Sequence, residues 1–304
     1  MVEGNARSRP AGGTNRPAYA VDELTDASTI GRILEARRSY AAYALGQLDD
    51  KFFGLVRCYR ARGSTGQALL LFSGGGLGNA LFAMGESGAL EALLRLHRGP
   101  RQNYATCQPE HLSVLRRYFT LVQEQPMLRM VVTAAEFQAP EAHGGGSVRR
   151  LRAQDVRPLN QLYSSEGVPA YYTSGHLAEG VYYGAYTGQR LVAVAGTHVV
   201  SEQRSVAVVG NVFTHPDFRN QGYARLATGA VTDHLLKRCA VVVLTVDPLN
   251  TPAVRAYRRL GYREDCRLLE AAVTRRDLLG VGSWLARLSA RYRGRHQRTE
   301  LVLS

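Results

Sequence analysis

The chain has 304 residues, room for one large domain or two ordinary ones, and its 45% hydrophobic and 21% charged content excludes wholesale disorder. The 38 Lys and Arg against 25 Asp and Glu leave a net charge of +13, which raises nucleic acid, an anionic membrane or a phosphorylated small molecule as partners. Lys51 and Lys237 are the only lysines, so the charge is almost all Arg, a bias that a GC-rich genome produces. With no Lys-rich run and no RNA-binding aromatic motif, a nucleic-acid partner is not expected.

Residues 1–25 are read as a flexible tail; the first 17, rich in Gly, Arg, Asn and Pro, lack the apolar core of a signal peptide. Apolar residues at helical spacing (Ile30, Ile33, Leu34, then Ala41, Tyr43, Ala44, Leu48) predict one or two helices over 29–48. Strands are predicted at 52–59, 68–72, 81–84, 104–107 and 128–134, with helices at 86–97 and 109–122. The uncharged run 63–85 has the roughly 20-residue length of a membrane span. Gln67, Ser73, Gly74, Gly75, Gly76, Gly78 and Asn79 divide it, as a strand, glycine turn and strand require. No membrane span is therefore expected. A phosphate loop at Gly74 and Gly76 would need a glycine where Asn79 stands, so a hairpin is the simpler reading.

This mixed unit, 26–142, is expected to end at a Gly-rich linker, 143–147. A second unit, 148–276, restarts the pattern. It has a strand at 148–151, a helix to 163 capped by Asp155, strands at 182–186 and 190–200 joined at Gly188, and a strand at 205–214. A helix at 221–237, a β-branched strand at 240–246, a helix at 251–260 and a last strand at 262–273 complete it. Both units open with helices, continue with hairpin strands and then run strand, helix, strand, an outline that suggests a duplicated fold. The basic extension 277–304 sets Trp284, Leu285, Leu288 and Tyr292 against Arg287, Arg291, Arg293 and Arg295, a docked terminal helix or an anionic-surface contact. Cys58, Cys107, Cys239 and Cys266 lie far apart with neither disulfide-framework nor zinc spacing. A reducing cytoplasm and no metal are expected.

Chemistry concentrates between Asn211 and Ala224. The strand ending at Thr214 is broken by Pro216, and a polar loop leads into a helix with Gly222 and Ala224 in its first turn. The free N–H groups and dipole of a helix start favour an anion, and small residues let a diphosphate approach the backbone. Arg219 and Arg225 flank it. Further on, Asn250, Ala253 and Tyr257 share one face of a helix, which places a short side chain and a phenol side by side.

These segments carry a resemblance. Arg219-x-x-Gly222-x-Ala224 resembles the pyrophosphate loop of the GCN5-related N-acetyltransferases, the GNAT superfamily, and Asn250-x-x-Ala253-x-x-x-Tyr257-x-x-x-Gly261-Tyr262 resembles that family's next helix. The resemblance covers 148–276, less than half the chain. It implies an α+β fold, with a mostly antiparallel sheet flanked by helices in the C-terminal half and a second, degenerate GNAT-like domain in the N-terminal half. The two-unit layout resembles the tandem-domain acyltransferases related to glycine N-acyltransferases.

It further implies acetyl-CoA as cosubstrate, an amine acceptor, direct acyl transfer, and CoA contacts from Val212, Phe213, Thr214, Arg219, Asn220, Gln221, Gly222, Tyr223, Ala224, Arg225 and Asn250. The strand ending at Thr214 should splay from its neighbour to admit the acyl group, with one of its amides polarising the carbonyl. Arg258 and Arg259 are within reach of the nucleotide phosphate. Tyr257 would protonate the leaving thiolate. The strand 205–214 has neither Asp nor Glu, so His198 is the candidate base, with Glu270, Glu202 or a water relay as alternatives. That missing carboxylate also leaves open a non-catalytic acyl-CoA-binding regulatory or interaction protein.

Overall fold

The computed structural model describes residues 19–74, 78–141, 146–167 and 170–277. The first 18 residues, the centre of the expected glycine turn after Gly74, most of the expected linker and the expected C-terminal basic helix lie outside the described residues. The N-terminal half runs β1 (Tyr19–Leu24), α1 (Ala27–Glu35), α2 (Ala42–Gly46), α3 (Asp50–Phe53), β2 (Val56–Gly63), β3 (Gly66–Ser73), β4 (Ala80–Gly85), α4 (Ser87–Leu96), β5 (Gln102–Cys107), α5 (Leu112–Tyr118) and β6 (Phe119–Val132). The C-terminal half runs β7 (Ser147–Arg150), α6 (Val156–Tyr163), α7 (Ser174–Glu179), β8 (Tyr183–Thr187), β9 (Arg190–Ser201), β10 (Val206–Thr214), α8 (Tyr223–Leu236), β11 (Val241–Val246), α9 (Thr251–Arg258) and β12 (Arg263–Arg275).

The two halves repeat one topology. In each, a first strand, short helices and an antiparallel hairpin lead to a fourth strand parallel to the fifth, through a helix. The twelve strands of the described residues form one sheet in the order β1-β2-β3-β4-β5-β12-β6-β11-β10-β9-β8-β7. The last strands are exchanged: β12 pairs with β5 of the first half, and β6 pairs with β11 of the second. The packing units therefore do not follow the division at residues 26–142 and 148–276.

Two expectations are corrected. Residues 19–24, assigned to the flexible tail, form the edge strand β1, held by the ladder to β2 and by Asp22 bridging Arg60 (2.9 Å) and Arg62 (3.0 Å). The helix expected to reach residue 122 ends at Tyr118, because Phe119 onward pairs with β12. Leu112, Leu115, Phe119 and Val122 mimic a helical stripe, and the long-range ladder overrides it. β3 and β4, on either side of the expected glycine turn, pair antiparallel. Among the described residues no helix is long and apolar enough to cross a membrane.

Side chains alternate between the two faces of the sheet. One face of the second half packs α8 and α9 over Ala207, Val209, Val242, Leu244 and Leu128. On the other face, α1 and α2 of the first half pack not only on β3 and β4 but also on Val206, Val208, Val243 and Val131. The first half thus roofs the sheet of the second. Ser201 Oγ donates to Asp49 Oδ1 at 2.5 Å, and Arg38 donates to the carbonyl of Ser205 at 3.2 Å, tying the roof down.

The roof also meets β9 at Gly46, where a Cβ would lie 2.2 Å from Val199 Cγ1. Gly46→Ala would ordinarily gain about 1 kcal/mol of helix propensity, but overpacking against β9 costs about 1–3 kcal/mol. A lowered Tm is the expected result, whereas Gly54→Ala, with open space around its Cβ, should not lower it. Differential scanning calorimetry of the two variants checks this.

Candidate active site

β10 pairs with β11 only from Val206↔Val241 to Val209↔Leu244. Beyond that, Asn211 takes a positive φ of 52°, the register against β9 shifts between Gly210 and Phe213, and β10 continues to Thr214 beside β9 alone. A gap therefore opens between the ends of β10 and β11. The bulge is braced by aromatic side chains. Tyr163 Oη donates to the Asn211 carbonyl at 2.6 Å, and Asn211 Nδ2 donates to Tyr182 Oη at 3.0 Å. Tyr163 also stacks on Tyr172 at 4.8 Å and packs on Phe213 at 5.1 Å.

Val212, Phe213 and Thr214 are half-buried along the free edge of β10. After the turn at Pro216–Phe218, Asn220 (φ 61°) and Gly222 (φ 87°) are both left-handed, and Gln221 Nε2 anchors the turn on the Asp217 carbonyl at 3.1 Å. α8, a 14-residue helix, then starts at Tyr223 with Gly222 as its N-cap and no side-chain cap. α1, α4 and α9 are capped by Asp26, Glu86 and Asn250. The first amides of α8, at Tyr223 and Ala224, are thus left for an external acceptor. Open space around Gly222 and the left-handed loop let a diphosphate reach them, so the residues present fit the phosphate arm of CoA. Arg219 beside this loop is ion-paired with Glu166 at 2.6 Å and lies over Phe213.

Asn250 does not stand free as a CoA contact. Its Oδ1 accepts from the Ala253 amide at 3.2 Å, which accounts for its place before α9. Arg258 is ion-paired with Glu264. Tyr257 is 7% exposed in the cluster that holds Val212, Ala253 and Tyr223. Its hydroxyl has no hydrogen-bond partner among the described residues, and burial pushes its pKa up to about 12. It is a neutral phenol at physiological pH.

The opposite face of the gap carries different chemistry. His198, on β9, lies over Gly210: a Cβ there would sit 2.0 Å from its Cδ2 and Nε2. The Tyr43 ring of α2 is 5.9 Å away. Although His198 as a whole is exposed, this crowding and, secondarily, the charge of Arg129 lower its pKa from the ordinary imidazole value. Glu270, on the same face, accepts from Tyr104 Oη at 3.2 Å. Its pKa is raised by burial, against the opposing pull of Arg129 and that hydrogen bond. Glu202 sits just before the start of β10, paired with Arg238 at 2.8 Å, and is no candidate base.

Arg129 on β6 was invisible to sequence reasoning. It is 0% exposed, opposite Thr245 of β11, and Nη1 donates to Thr245 Oγ1 at 2.6 Å. Nε and Nη2 are buried with no hydrogen-bond partner. An arginine among the otherwise apolar residues 126–132 carries no local signal, because its place beside the gap depends on the strand exchange.

Comparison with known proteins agrees with this geometry. Residues 148–262 match the acetyltransferase (GNAT) family. A Drosophila protein superposes with a TM-score of 0.61 at 13% identity, covering 84% of this chain and 98% of that one. A GCN5-related N-acetyltransferase from Kribbella flavida gives 0.51 at 19% identity, over 69% of this chain and 86% of its own. A GNAT-family acetyltransferase from Colwellia psychrerythraea gives 0.50 at 10% identity, over 83% and 99%. Among curated proteins none matches the sequence. At these identities the structures show the fold, and the family match identifies 148–262 as a GNAT acetyltransferase domain.

Proposed function

We propose that the protein is an N-acyltransferase that moves acetyl from acetyl-CoA to an amine by direct attack. The observation that carries this reading is the uncapped start of α8 beside a strand that parts from its neighbour, with a phenol on one face of the gap and an imidazole on the other. The amides of Tyr223 and Ala224, with the Gly222 turn and Arg219, would hold the diphosphate. Val212, Phe213 and Thr214 would offer their edge to the pantetheine arm. When bound, the cosubstrate supplies the activated acyl group; the chain supplies position and proton transfer.

Tyr257, on the α8 and α9 face, would donate its proton to the departing thiolate. His198, on the roofed face, would take the proton of the attacking ammonium. A base must be deprotonated to act, so kcat/KM should rise with pH through a midpoint below the ordinary imidazole value, and this limb should vanish in His198→Ala. If the limb persists in that variant and is lost in Glu270→Gln, Glu270 holds the role. The retained phenol favours turnover over binding without chemistry. A mass-spectrometric screen of small amines, peptides and protein lysates with acetyl-CoA tests the function: an acetylated product is expected, and binding without product would point to a non-catalytic acyl-CoA-binding protein.

A further inference from the structure

Between Gly210 and Phe213 the register shift leaves β10 one residue longer than β9, and a bulge of this kind re-aims the backbone it inserts. Downstream the ladder resumes. The His215 amide donates to the Val192 carbonyl at 2.9 Å, so by alternation the Phe213 amide turns to β9 and the amides of Val212 and Thr214 turn to the free edge. A trans peptide sets its C=O opposite its N–H. The Asn211 carbonyl, in the same peptide unit as the Val212 amide, therefore points away from the gap, and there Tyr163 Oη donates to it at 2.6 Å.

That one peptide plane is fixed from both sides. Tyr163 stacks on Tyr172 and packs on Phe213. Tyr172 is itself clamped to α6 at two points, its amide donating to Asn160 Oδ1 and its carbonyl accepting from Asn160 Nδ2, both at 2.9 Å. Burial pushes the Tyr163 pKa up, so the hydroxyl stays protonated and donates. On the other side Asn211 Nδ2 donates to Tyr182 Oη at 3.0 Å. The Tyr182 ring lies where Gly196 leaves room, since a Cβ there would come within 2.2 Å of its Cε1. Asparagine takes the φ of 52° at position 211 more readily than most residues with a side chain.

We propose that Tyr163 is a positioning residue for acyl transfer: by holding the Asn211 carbonyl it aims the Val212 N–H at the thioester oxygen and strengthens that N–H as a donor. The inference rests on the acyltransfer reading and deepens it. A hydrogen bond accepted by a peptide carbonyl polarises the unit, so its N–H donates more strongly. The acceptor nitrogen bonds to the acetyl carbon as the carbonyl π pair moves onto oxygen, which faces the Val212 amide. The pair returns as the C–S bond breaks, the thiolate leaving with the Tyr257 proton and the ammonium proton passing to His198. A donor already fixed when the charge develops needs no reorganisation at that moment.

The test needs no acceptor. Isotope-edited infrared difference spectra of the full chain, saturated with acetyl-CoA labelled with heavy carbon at the acetyl carbonyl, read the polarisation of that C=O bond directly. The stretch of the bound thioester should lie below that of free acetyl-CoA. In Tyr163→Phe, which keeps the stacked ring, most of that lowering should be lost while acetyl-CoA Kd changes little. A ring-fluorinated tyrosine installed at position 163 alone is a more acidic donor, and should lower the stretch further. With an acceptor amine in hand, kcat of Tyr163→Phe should fall about 10-fold, less than for outright loss of an oxyanion donor, and KM for acetyl-CoA should hold. A bound stretch no lower than the free one, or one that neither change at position 163 moves, would overturn the proposal and leave acyl-CoA binding intact. Failure of acetyl-CoA to bind would remove the acyltransfer reading and this inference together. Should Tyr163→Phe fail to fold, the fluorinated chain, which keeps the hydrogen bond, decides the matter.

Discussion

Replacing Tyr257 with Phe is expected to lower kcat about 100-fold or more, the range for loss of a general acid, with little change in acetyl-CoA Kd. The ring fills the cluster of Val212, Ala253 and Tyr223, and Phe preserves that packing. Only the hydroxyl is lost, and it has no partner within the described residues whose loss would perturb the fold. With its pKa pushed up to about 12 by burial, it donates rather than ionises. An interaction that strengthens as charge develops on sulfur lowers the barrier without tightening ground-state binding. Single-turnover kinetics give the comparison; a Phe variant at the parental rate, with chemistry rate-limiting, would reduce Tyr257 to a packing residue.

Gly222→Glu should weaken acetyl-CoA binding by at least an order of magnitude, about 1.4 kcal/mol. Two effects separate cleanly here. Gly222 has φ 87°, so any side chain costs about 1–2 kcal/mol of backbone strain, yet a Cβ meets nothing within 4 Å. Gly222→Ala therefore bears the strain without the charge. Calorimetry on both variants, each shown to be folded, should find Glu far weaker than Ala, since a carboxylate at the first turn of α8 occupies the position of the diphosphate and repels it. Equal affinities would remove the charge argument.

The strand, loop and helix from β10 through α8 were legible because their signals are local: β-branched alternation, Pro216, then Gly222 and Ala224 at fixed offsets. The splay implied by the resemblance is present as the end of pairing at Val209↔Leu244. The exchange of β6 and β12 was not legible. It joins residues more than a hundred positions apart, and nothing in 119–132 distinguishes pairing within its own half from pairing with β11. The same non-local join hid Arg129, and it turned the helical stripe after Leu112 into a strand. β1 was missed because six residues without clean alternation acquire their conformation from β2. Asn250 shows the converse: its motif position was legible, but a helix cap and a cofactor contact call for the same residue type.

The central claim, that the end of β10 and the start of α8 receive the acyl-CoA, is tested most directly by amide hydrogen exchange of the full chain with and without acetyl-CoA. Slowed exchange is expected at the amides of Val212 and Thr214 and from Gln221 to Ala224, where the edge of β10 and the uncapped turn of α8 would acquire hydrogen-bond acceptors. Unchanged exchange across residues 211–225 under saturating acetyl-CoA, or protection confined to the β3–β4 hairpin of the first half, would contradict it.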